Sequence, residues 1–124
     1  MAEKISRRSV QINIEIEKGS TFRHTFVWTY AVDPQDPIDL TGSTARMQIR
    51  ENQESDEILH ELTTENGGIT LGGVTGEIYL FVSDTDSTAW EWNSGVYGLE
   101  IQFPNTDVRR LCRGTIKAFD ETTR

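Results

Sequence analysis

Residues 44–50 read Thr-Ala-Arg-Met-Gln-Ile-Arg and alternate without a break. Ala45, Met47 and Ile49 leave the backbone one way, while Arg46, Gln48 and Arg50 leave it the other. A period of two is what a pleated strand with one buried face requires. A helix would spread the same three apolar residues around its circumference. The polar turn Asp39-Leu40-Thr41-Gly42 launches this strand, and the same grammar recurs along the chain.

Val10, Ile12, Ile14 and Ile16 alternate with Gln11, Asn13, Glu15 and Glu17, and Lys18-Gly19-Ser20 ends the run. Phe22, Phe26, Trp28 and Tyr30 then share one parity, with His24 among them. So brief a separation makes these two strands a hairpin or a tight connection between sheets. Pro34 and Pro37 mark residues 31–38 as a loop, because proline removes a ladder donor. A short strand is expected over residues 58–64, followed by the turn Glu65-Asn66-Gly67-Gly68 and a brief apolar piece at 69–71. Alternation resumes at residues 77–83, with Ile78, Leu80 and Val82 inward and Tyr79 and Phe81 on the opposite face. Residues 84–90 lack strand character, and their Asp and Ser side chains suit the cap of one short helix or 3₁₀ turn. Tyr97, Leu99, Ile101 and Phe103 mark the next strand, and Pro104-Asn105-Thr106-Asp107 turns the chain. In the last strand, over 108–119, Leu111 has the opposite parity to Cys112, Ile116 and Ala118. That conflict predicts a bulge near Arg113-Gly114 or a strand buried on both faces.

The pattern amounts to about eight short strands at roughly 8–12-residue spacing, the signature of an antiparallel β-sandwich or small barrel. We read it as an antiparallel immunoglobulin-like β-sandwich with one short helical turn. A chain of 124 residues holds one domain. The expected division is a flexible N-terminal arm at 1–9, the sandwich at 10–119 and a polar tail at 120–124.

Composition excludes several functions. The net charge of −8 argues against nucleic acid, whose phosphates are met by Lys and Arg. No apolar run approaches the roughly 18 residues of a membrane helix, and no apolar stretch follows Lys4, Arg7 and Arg8 to serve as a signal peptide. Neither a membrane partner nor export through a cleaved signal is expected. Cys112 is the single cysteine, so no internal disulfide can form, and the ordinary reading is a buried thiol. A chain that manages without disulfides fits the cytoplasm, or particles assembled there.

Catalytic signatures are missing: there is no glycine-rich phosphate loop, CxxC, HExxH or GxSxG. His24 and His60 stand far apart, and His24 on an aromatic face reads as a core or rim histidine. Asp33, Asp36 and Asp39 recur every third residue, which does not match the alternate-residue ligands of an EF-hand; a turn rich in Asx caps is the simpler account. Asp84 and Asp86 read as helix-capping residues. No enzyme, cofactor or metal is expected. Trp90 and Trp92 either plug the core or form a contact patch. With Tyr97 beside Asp84 and Asp86, they also suggest an alternative function as a carbohydrate-binding module, with the rings as a stacking platform.

Taken together, Asp39-Leu40-Thr41-Gly42 and Ala45–Arg50 resemble the opening of small structural domains of tailed bacteriophages, and are similar to the N-terminal immunoglobulin-like domain of baseplate upper proteins. The resemblance continues through Asn66-Gly67-Gly68-Ile69, Gly76-Glu77-Ile78 with Leu80, Asp84-Thr85, and Gly95-Val96-Tyr97-Gly98-Leu99-Glu100. It ends at Val108-Arg109-Arg110-Leu111 with Gly114, and so covers residues 10–119. It implies a virion component: a sandwich that packs in symmetric copies and joins larger parts. Baseplate upper proteins continue into further domains, so a stand-alone adaptor, collar, baseplate or head-decoration subunit is expected here. Its expected partners are other virion proteins and copies of itself, in a homo-oligomer within the particle.

For such a subunit the candidate contact residues are the basic arm (Lys4, Arg7, Arg8), the acidic stretch led by Glu51, Glu54, Asp56 and Glu57, and the outward aromatics Tyr79 and Phe81. Residues 51–66 also hold Glu61 and Glu65 without a single Lys or Arg. A solvated loop is the usual meaning of such a stretch. Arm to acidic stretch on the next copy would be a heterologous contact able to close a ring.

Overall fold

The computed structural model describes residues 3–5, 10–30 and 36–121. Its strands are β1 (Glu3–Ile5), β2 (Val10–Gln11), β3 (Ile14–Glu17), β4 (Phe22–Trp28), β5 (Thr44–Arg50), β6 (His60–Thr63) and β7 (Ile69–Leu71), then β8 (Glu77–Val82), β9 (Ser94–Gln102) and β10 (Val108–Phe119). A 3₁₀ turn at Gly73–Thr75 precedes β8, and one short helix, α1 (Asp84–Thr88), lies between β8 and β9. Among the described residues no helix is long and apolar enough to cross a membrane.

Two sheets face each other. One runs β1-β4-β8-β7; the other runs β2-β10-β9-β5-β6, with β3 joining β2 along the same side of β10. Pairing is antiparallel except where the chain begins: β1 lies parallel to β4, and β2 and β3 lie parallel to β10. This is an antiparallel-rich, immunoglobulin-like β-sandwich. The connection from β3 to β4 carries the chain from one sheet to the other, so the second of the two expected arrangements is the one formed.

Alternation decides what is buried. Ala45, Met47 and Ile49 of β5 lie inside, against Leu99 and Ile101 of β9 and Leu111 and Ile116 of β10. Phe26 and Trp28 of β4 and Ile78, Leu80 and Val82 of β8 close the core from the other sheet. Each such side chain contributes about 1.5–3 kcal/mol by leaving water, so the inward parity of four strands outweighs any local propensity. Ser83 caps α1 by accepting a hydrogen bond from Asp86 N at 3.0 Å. The helix drops Ser87 into the interior, where its Oγ accepts from Gly19 N at 3.0 Å and ties the β3–β4 turn to this end of the sandwich.

At four places the structure departs from the sequence reading or sharpens it. Within residues 1–9, Glu3–Ile5 is a strand rather than part of a free arm: Ile5 is buried, and its carbonyl accepts from Thr29 N at 2.8 Å. One apolar residue in a polar stretch gives no period to read. The run at 10–17 is interrupted at Ile12 and Asn13, where the Asn13 side chain accepts from Thr115 N at 3.2 Å in place of a backbone carbonyl. In β10 the register slips between Arg110 and Cys112, so Leu111 is the extra residue, and both Leu111 and Cys112 are buried. The bulge exists, but it lies N-terminal to Arg113-Gly114. The tail begins tied down, since Asp120 accepts from Lys18 Nζ at 3.0 Å and from Asn93 Nδ2 at 3.1 Å.

Candidate protein-contact surfaces

The outer face of the larger sheet follows from register. Glu100, near the end of β9, sits between Arg46 on β5 and Arg110 on β10. Gly98, two residues earlier, stands between Gln48 and Arg113. Val96 stands between Arg50 and Thr115. Arginines therefore surround a position that has no side chain, and over it lies a groove of about 520 Å³. A Cβ on Gly98 would meet nothing within 4 Å, so the glycine leaves the floor open.

The β10 bulge builds this arrangement. Arg110 and Arg113 are three residues apart and would leave a regular strand on opposite faces. With Leu111 inserted, both point outward over β9. Groove residues include four arginines and one carboxylate, Glu100, in a chain whose net charge is −8. Arg46 donates to Glu100 Oε1 at 2.6 Å. Arg50 donates to Gln48 Oε1 at 2.8 Å and to Ser55 O at 2.9 Å. Among the described residues Arg110 and Arg113 pair with no carboxylate.

The acidic stretch divides in two. Glu51, Glu54, Asp56 and Glu57 are exposed on the β5–β6 loop, whose residue Gln53 lines the groove. Glu61 belongs to β6 and accepts from Gln48 Nε2 at 2.7 Å. Glu65 sits in the β6–β7 turn, accepting from Thr64 Oγ1 at 2.9 Å. The exposed part is locally ordered: Glu54 N donates to Asn52 Oδ1 at 3.0 Å, Ser55 N to Asn52 O at 3.2 Å and Glu57 N to Ser55 Oγ at 3.3 Å.

Tyr79 and Phe81 lie apart from these groups, on the outer face of the smaller sheet. Phe81 is half-buried beneath Arg23, whose guanidinium carbon is 4.8 Å from the ring centre. Tyr79 is exposed, and hydrogen bonding to Glu77, with smaller contributions from burial and charge, holds its phenol above the usual value. Of the basic arm, Lys4 lies in β1 opposite Val27. Its side chain, with Arg7 and Arg8, lies outside the described residues, as does Asp33.

The carbohydrate-platform arrangement is not formed. Trp90 and Tyr97 are 9% and 4% exposed, so they cannot present flat faces to a sugar. Trp92 instead stacks on Trp90 with ring centres 4.5 Å apart, and His60 meets Trp90 edge-on at 5.2 Å. Burial pushes the His60 pKa below its usual value, partly opposed by the charge of Asp86. Tyr97 donates to Ile12 O at 2.7 Å, fastening the N-terminal strands beneath the groove. Asp39 accepts from the Thr41 hydroxyl at 2.6 Å and from its N–H at 2.9 Å, bonds that lower its pKa and close an Asx turn. Among the described residues no three His, Cys, Asp or Glu side chains group in a way that could hold a metal ion.

Sequence reasoning placed Arg46 and Arg50 on the outer face but missed the groove. The signal was a pair of outward arginines on each of β5 and β10, the two strands that flank β9. Bringing those arginines together requires the strand order and the bulge position, which no single strand encodes.

No protein-family profile matches this chain, and no curated protein matches its sequence. Among solved structures it is similar to the N-terminal domain of phage TP901-1 ORF48, with TM-score 0.47 and 10% identity over 98% of each chain. It is also similar to extracellular domains 3–5 of Drosophila OTK, with TM-score 0.37 and 12% identity, covering 93% of this chain and 35% of that one.

Proposed function

We propose that this chain is a structural subunit of a tailed-bacteriophage particle, an adaptor, collar, baseplate or head-decoration protein that works through protein–protein contacts in a symmetric assembly. The observation that carries the reading is the ordered resemblance across residues 10–119, whose pieces occupy the points that define the sandwich. Asp39–Gly42 is the Asx turn into β5, Asn66–Gly68 is the turn into β7, and Gly95–Glu100 is the strand at the centre of the groove. The assembling half of the reading is further supported by a charged, open sheet face. Its partners are other virion proteins and copies of itself; it has no nucleic-acid, membrane or catalytic role.

The test is the composition of the particle. Purified virions analysed by quantitative mass spectrometry should contain this chain in a fixed ratio to the major capsid protein. Its presence in infected-cell lysate together with its absence from virions would overturn the assignment.

A further inference from the structure

The sandwich carries two sets of unmatched charge on one side. Among the described residues, Arg110 and Arg113 face outward with no carboxylate partner, and Glu51, Glu54, Asp56 and Glu57 extend from the β5–β6 loop with no cationic partner. The two sets are neighbours: Gln53 lines the groove, and Arg50, on the same face, holds the loop through Ser55 O. Yet among the described residues no loop carboxylate pairs with an arginine of its own chain.

We infer that the groove receives the acidic β5–β6 loop of a second copy of this chain, in a reciprocal contact about a two-fold axis. A groove and a complementary loop side by side on one face form a self-complementary patch, which an isologous contact requires. Two copies facing one another exchange loops, so each pair of charges is satisfied twice. The geometry suits carboxylates, because a guanidinium presents a fixed fork to two carboxylate oxygens. Little ordering is needed on binding. The Asn52 and Ser55 side chains already fix the loop, Glu100 across the ladder already holds Arg46, and Gln48 on the same strand together with Ser55 O already holds Arg50. The open floor at Gly98 lets an incoming side chain reach between Gln48 and Arg113. This contact differs from a ring closed by the basic arm, and it rests on the reading of the chain as an assembling subunit.

A charge exchange tests it. One variant carries Arg110→Glu and Arg113→Glu; the other carries Glu54→Lys, Asp56→Lys and Glu57→Lys. All five positions are exposed, so both variants should keep the wild-type circular dichroism spectrum and, at concentrations low enough that the wild type is monomeric, its melting midpoint. Light scattering across a concentration series should show the wild type dimerising, and each variant alone should lose affinity by about a hundredfold or more. An equimolar mixture should recover dimers, because an acidic groove then meets a basic loop and an unchanged groove meets an unchanged loop. Raising the salt from about 0.1 to 1 M, which shortens the screening length from about 10 to 3 Å, should weaken the wild-type dimer. Dimers that persist in both single variants, or a mixture that stays monomeric, would overturn this contact while leaving virion membership to the particle composition. A wild type that is monomeric throughout would overturn the contact and self-association together.

Discussion

Gly114 and Gly98 are neighbours across β9 and β10 whose missing side chains have opposite consequences. A Cβ on Gly114 would overlap the Ile12 carbonyl oxygen, the same oxygen that accepts from the Tyr97 hydroxyl, and would crowd Asn13 Oδ1 at 3.1 Å. The obstacle is backbone and cannot rotate away. Gly114→Ala should therefore cost about 1–3 kcal/mol, the range for forcing extra atoms into a packed site. Gly98→Ala should stay within about 0.5 kcal/mol of wild type or gain slightly, because it enters open space and stiffens the unfolded chain. Urea denaturation of the two variants makes the comparison, and equal losses would contradict the close approach assigned to Gly114. The residues that set burial were legible in advance. Ala45, Met47 and Ile49 announce themselves by period, and Asp39 by its turn. Ile5 was not, because a single apolar residue carries no period and its burial depends on a strand 23 positions further on, Ile5 pairing with Trp28.

At the scale of elements, β10 organises the molecule. It pairs antiparallel with β9 on one side and parallel with β2 and β3 on the other, so it links the two ends of the chain. Its parity conflict was visible in the sequence, but the position of the bulge was not. Leu111 and Cys112 are adjacent and both apolar, and only the pairing with β9 decides which of them is extra. The same slip brings Arg110 and Arg113 together, which is why the groove could not be read from any strand taken singly. Beyond β10, Asp120 reaches back to Lys18, which is 8% exposed despite its charge. Hydrogen bonds from Lys18 and Asn93, and then the charge of Lys18, lower the Asp120 pKa in the folded state from its ordinary 3.8. The unfolded chain then binds the proton more readily, so this carboxylate's contribution is fully present above pH 3.8 and is lost as the pH falls through the lower folded value. Asp120→Asn should flatten the acid side of the stability profile in that window and leave its shape near neutrality unchanged. A series of urea melts between about pH 2 and 7 measures this, and an unaltered acid limb would show that the Lys18 contact contributes nothing.

The whole molecule is a small sandwich whose two outer faces differ in kind. The smaller sheet presents Tyr79, Phe81 and Arg23, while the larger presents a basic groove with an acidic loop at its side. Fold class followed from alternation and turn spacing, because burying one face of each strand leaves few architectures open. Contact surfaces did not follow, because they depend on which outward side chains the sheet order makes neighbours. Of the expected contact residues, Glu51, Glu54, Asp56 and Glu57 stand exposed, and the complement we infer for them is the set of arginines on β5 and β10. The central claim, that this sandwich is built into a phage particle through its own faces, is tested most directly by electron cryo-microscopy of that particle. The predicted result is sandwich density repeated in symmetry-related copies, with the outer face of the larger sheet in contact. A reconstruction in which no such density is found, or in which that face stands free in every copy, would contradict it.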